Sequence, residues 1–96
     1  MGHTEARAIS LNVTVNDGRV EAVLTGDTET ARVVSYEIVM NGNSVSRHRG
    51  STTIPAGEPV ILSRLAMSAG ADWCVRADIT EEGGPSYAYA EGPGCN

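Results

Sequence analysis

The chain has 96 residues, with no Phe, one Trp and three Tyr. That length suits one domain whose modest core must come from Val, Ile, Leu, Ala and Met. A formal charge of −5, from twelve acidic and seven basic residues, argues against nucleic acid as a partner, because phosphate binding needs a basic surface. No apolar run approaches the ~20 residues of a membrane helix, so no membrane insertion is expected.

Met1-Gly2-His3 reads as an expression remnant whose native signal has been removed. Residues 1–6 are expected as that remnant plus a loose start that extends through Arg7, and residues 7–96 as the domain. Ile9, Leu11, Val13 and Val15 then alternate with polar residues, which predicts a first strand. Asn16-Asp17-Gly18 follows, a strong hairpin signal, and leads to a second strand over Arg19–Thr25 with Val20, Ala22 and Leu24 on one face. After the polar connection 26–30, a third strand is predicted over Ala31–Met40. Val34, Tyr36, Ile38 and Met40 share one face; Val33, Ser35, Glu37 and Val39 share the other.

Asn41-Gly42-Asn43 is a tight-turn signature. Ser44–Thr53 is polar, with Val45 its sole aliphatic, and is expected as an edge strand blunted by Arg47-His48-Arg49. Pro55 and Pro59 place 54–59 in a loop. Val60–Met67 is the fifth strand. Asp72–Thr80 is the sixth and central one, with Trp73, Val75, Ala77 and Ile79 inward and Cys74, Arg76, Asp78 and Thr80 outward. Glu81-Glu82-Gly83-Gly84-Pro85 is a turn whose acidic pair is expected to be solvated. Ser86–Glu91 is the seventh strand, its Tyr87 and Tyr89 expected in the core. Seven short strands with regular turns predict an all-β, seven-stranded antiparallel immunoglobulin-like β-sandwich. Trp73, Val75, Tyr36 and Ile38 are its expected inward anchors.

Two Cys permit one disulfide. The reading adopted is a Cys74–Cys95 bridge pinning the tail to the sixth strand, worth about 3 kcal/mol and typical of an exported protein, against two free thiols in a cytosolic one. Catalytic signals are weak. His48 is the only His outside the remnant, and a triad would need a Ser and an Asp beside it. No phosphate loop, nucleophile elbow or zinc spacing occurs, and Asp27 with Glu29 makes a poor calcium site. No enzyme, cofactor or metal is expected.

There is no Lys, and all seven cations are Arg. A high-GC coding sequence supplies this without any functional demand. The functional reading is recognition by the planar guanidinium fork. Arg47, His48 and Arg49 would form a cationic strip, extended by Arg32, Arg64 and Arg76 if folding brings them to one face. Edge protection alone would also explain the first three.

Thr53-Ile54-Pro55-Ala56-Gly57-Glu58-Pro59-Val60-Ile61-Leu62-Ser63-Arg64-Leu65 resembles a segment of the curli assembly inhibitor family, of the CsgC/CsgH type. There an aliphatic-Pro-Ala loop leads through a second Pro into an apolar strand ending in a basic residue and Leu. The resemblance extends more weakly over Tyr36-Glu37-Ile38 and the strand at Asp72. It implies a periplasmic immunoglobulin-like monomer without cofactor that keeps the curli amyloid subunit from polymerising. One branch of that family carries Cys-X-Cys in its third strand; Val33-Val34-Ser35 has none, which favours the CsgH branch. From the charge pattern, the residues expected to meet such a client are Arg47, His48, Arg49, Arg64 and Arg76. The competing reading is a structural or binding sandwich module of an adhesin, pilus or carbohydrate-binding protein.

Overall fold

The computed structural model describes residues 7–95; the remnant and loose start expected over 1–6, and Asn96, lie outside them. Seven strands follow in order: β1 (Ile9–Asn16), β2 (Arg19–Gly26), β3 (Arg32–Asn41), β4 (Val45–Ile54), β5 (Val60–Ser68), β6 (Cys74–Glu81) and β7 (Ser86–Glu91). They build two antiparallel sheets, a three-stranded one in the order β1-β2-β5 and a four-stranded one in the order β4-β3-β6-β7. No described residue is helical. An immunoglobulin constant domain places its first, second, fifth and fourth strands in one sheet. Here the fourth strand has crossed to the edge of the other, beside β3.

The local chemistry explains the elements. Asp17 and Gly18 both have positive φ, 52° and 73°, as a type I′ hairpin turn requires, and Asn16 faces Arg19 across it. Two of the three loops that cross between the sheets, 27–31 and 55–59, are tied together: Thr28 bridges Ala56, and the Gly57 amide donates to the Thr28 carbonyl at 2.8 Å. Opposite Leu24–Thr25, β5 carries an extra residue, Leu62. That bulge changes which side chains face inward, so Ser63 and Leu65 are both buried.

Ile9, Val20, Ala22, Leu24, Val34, Ile38, Met40, Ile54, Leu65, Val75, Ala77 and Ile79 form the core, each at most 5% exposed. Each large aliphatic among them contributes on the order of 1.5–3 kcal/mol on full burial. Two expected anchors, Trp73 and Tyr36, pack against this core but are only half-buried. β6 begins at Cys74, so Trp73 precedes it, half-buried. The tail lies over Trp73: the Gly94 amide donates to its carbonyl at 2.9 Å, and a Cβ on Gly92, whose φ is 134°, would collide with it. Tyr36 is also half-buried, at the open side of the sandwich between β4 and β5. The Cys74–Cys95 bridge is present, with Cα atoms 4.9 Å apart.

The opposite open side, near β1 and β7, is closed by polar groups. Glu81 is 1% exposed, which corrects its reading as a solvated turn residue. Its carboxylate accepts from the Ala8 amide at 3.0 Å, from Arg32 Nη1 at 2.6 Å and from the Tyr87 hydroxyl. Burial alone would raise the Glu81 carboxyl; the bonds from Tyr87, Arg32 and Ala8 outweigh it and hold the group below its ordinary 4.5. Burial and the neighbouring carboxylate push the Tyr87 phenol well above its usual range. The Ile9 amide donates to Tyr87 Oη at 3.1 Å, and Tyr89 Oη donates to the Ile9 carbonyl at 2.6 Å. Arg7, expected to be loose, stacks on the Tyr87 ring at 4.6 Å and the Tyr89 ring at 5.5 Å. Tyr87 and Tyr89 are accordingly only part-buried, with their hydroxyls spent on Glu81 and on the start of β1.

Candidate functional site

β4 hydrogen-bonds β3 along all ten of its residues and leaves its other edge free. Among the described residues, no side chain or loop hydrogen-bonds that free edge. Strand periodicity puts Arg47, Arg49, Ser51 and Thr53 on the outer face of the four-stranded sheet. The registers extend each position across the sheet. Arg47 stands beside Val39, then Arg76 and Ala90; Arg49 stands beside Glu37, then Asp78 and Ala88; Ser51 stands beside Ser35, then Thr80 and Ser86. Folding therefore gathers Arg47, Arg49 and Arg76 on one face, two rows of cations and carboxylates above a row of small hydroxyls.

The electrostatics of those rows are loose. Glu37 Oε2 lies 3.4 Å from Arg49 Nη2 and 3.5 Å from Arg47 Nε, so one oxygen serves two guanidiniums. The Arg47 and Arg49 side chains remain 61% and 73% exposed. Ion pairs this exposed add little stability. Each Arg carries five N–H donors, most of them free for a second acceptor. A shallow depression beside them is lined by Ser35, Glu37, Arg49, Ser51, Asp78 and Thr80.

The other expected cations do not join the rows. His48 points to the opposite face of β4, where its Nδ1 meets Ser63 Oγ of β5 at 3.0 Å. Below it, Tyr36 Oη donates to the Leu62 carbonyl at 3.1 Å. A Cβ on Gly50 would lie 2.7 Å from that hydroxyl, so Gly50 lets Tyr36 close the gap between β4 and β5. His48 is thus placed beside a Ser, but Ser63 is 7% exposed, and no carboxylate hydrogen-bonds His48 among the described residues. Arg64 faces outward from the three-stranded sheet, beside Val23. It approaches the β4 side along the rim of a cleft that it lines with His48, Ser63, Arg47 and Arg49. Arg32 is spent on Glu81.

No family model matches the sequence, and no curated protein matches it. Solved structures do. The E. coli curli protein CsgC aligns over 88% of this chain and 97% of its own, with TM-score 0.62 and 14% identity. The chain has a curli-protein fold. The solution structure of R. palustris CsgH aligns over 90% of this chain and 91% of its own, with TM-score 0.60 and 16% identity. The resemblance drawn from Thr53–Leu65 therefore holds at the level of the fold. That segment runs from the end of β4 through the loop 55–59 into β5, and carries the chain from the four-stranded sheet to the three-stranded one.

Proposed function

We propose that this protein is a periplasmic inhibitor of amyloid assembly of the curli type, a chaperone-like binder of unfolded or early-oligomer subunits. The observation that carries the reading is the fold shared with the curli protein CsgC over nearly all of both chains. The chemistry of β4 gives it a mechanism. Amyloid grows by adding strands to exposed edges. A sandwich edge can pair with such a strand and hold it out of the fibril. β4 offers main-chain groups along ten residues, while Arg47, Arg49 and the Ser and Thr around them keep it soluble. The Cys74–Cys95 bridge suits an oxidising compartment such as the periplasm.

The test is fibril formation by a curli major subunit, followed by thioflavin fluorescence with this protein at a low molar ratio. The expected result is a lag extended several-fold. An unchanged lag at equimolar protein removes the reading.

A further inference from the structure

The two sheets leave four strand edges, and they differ. β7 is six residues long and lies between Pro85 and Pro93. β5 is broken by the bulge at Leu62 and preceded by Pro59. β1 has its first free-edge groups taken, because the Ile9 amide and carbonyl are bonded to Tyr87 and Tyr89. β4 alone combines ten residues, unbroken register and no Pro. A Pro or a bulge stops an incoming strand; alternating Arg selects among incoming strands by charge.

We propose that β4 binds an extended peptide whose carboxylates occupy alternate positions, Asp/Glu-X-Asp/Glu, added as a fifth strand to the four-stranded sheet. The proposal deepens the inhibitor reading and rests on it for the client's identity. Arg47 and Arg49 are two residues apart on one face, about 6.7 Å along the strand at the usual rise. Residues i and i+2 of an added strand repeat that spacing and stand about 5 Å from their neighbours across the ladder. Carboxylates there reach both guanidiniums, whose present acceptor is a single shared oxygen of Glu37. Adjacent carboxylates cannot do this, since one of them turns to the other face. There the X residue meets the rim formed by His48, Ser63 and Arg64. His48 and Ser63 are bonded to each other, and Gly50 projects nothing into the space. X is therefore small or polar.

The experiment titrates the full chain, labelled with 15N, with three ten-residue peptides of otherwise equal composition. One carries its two Glu at i and i+2, the second at i and i+1, and the third has Gln at both alternate positions. The expected result is shifts concentrated at the Val45–Ile54 amides, with the alternate-Glu peptide binding at least fivefold more tightly than either other. In Arg47→Gln with Arg49→Gln, that preference disappears. Equal binding of the two Glu isomers, no binding, or shifts centred on β1 or β7 overturns the proposal. Peptide discrimination without fibril inhibition would sink the curli reading alone. Fibril inhibition without discrimination would sink the alternate-carboxylate site alone.

Discussion

Two glutamates, each paired with arginine, mark two regions of this molecule with opposite characters. The Glu81 side chain, on β6, is fully buried, bonded to Arg32 of β3 at 2.6 Å, to Tyr87 of β7 and to Ala8 just before β1. The Glu37 side chain is 31% exposed, on the face of a sheet, and one oxygen spans two exposed arginines at 3.4 and 3.5 Å. Burial removes water as a competing partner, so Glu81 must keep its donors. Exposure leaves water and any other carboxylate free to replace Glu37. The same ion types thus hold the fold together at one open side and stay available to a partner on the outer face of the four-stranded sheet.

The comparison can be broken most directly at Glu81. Glu81→Ala leaves Arg32, the Tyr87 hydroxyl and the Ala8 amide without their acceptor. The expected loss is about 3–5 kcal/mol, seen as a lower urea midpoint at unchanged slope. A loss below about 1 kcal/mol would show that the clasp is no more than a surface pair. Next, Cys74→Ser with Cys95→Ser opens the 21-residue link. It should cost about 3 kcal/mol, and Trp73 emission should shift red as the tail leaves it.

Acid sharpens the contrast further. The folded-state Glu81 carboxyl lies below its ordinary 4.5, so its contribution is complete above that value and is lost as pH falls through the lower, folded one. Urea midpoints should therefore hold near neutrality and decline below about pH 4.5, and Glu81→Gln should flatten that decline. The smallest effect on stability belongs to the exposed side. Arg47→Ala with Arg49→Ala should change unfolding free energy by no more than ~0.5 kcal/mol, yet abolish fibril inhibition.

Much of this fold was legible in the sequence, because period-two alternation and Asp17-Gly18 act locally. The Cys pairing was legible because an even count left one partner for the tail. Glu81 was not. Read inside Glu-Glu-Gly-Gly-Pro it resembles a turn, and its partners Ala8 and Arg32 lie 73 and 49 residues away. A signal was nonetheless present: Val75, Ala77, Ile79 and Glu81 share one phase, and carrying the alternation one step further turns Glu81 inward. Trp73 failed for a related reason. Its phase is inward, but a Gly-rich tail covers it before the strand begins. At the candidate site, periodicity grouped Arg47 with Arg49 and set Arg76 outward. It could not assign β5 to the other sheet, so that Arg64 meets Arg47 and Arg49 only across the cleft between β4 and β5.

The central claim is that a client engages the free edge of β4. Hydrogen exchange of this protein, alone and mixed with a curli major subunit before fibrils appear, tests it directly. New protection confined to Val45–Ile54, with β1 and β7 unchanged, is the predicted result. Protection centred on β1 or β7, with Val45–Ile54 exchanging as in the free protein, would contradict it.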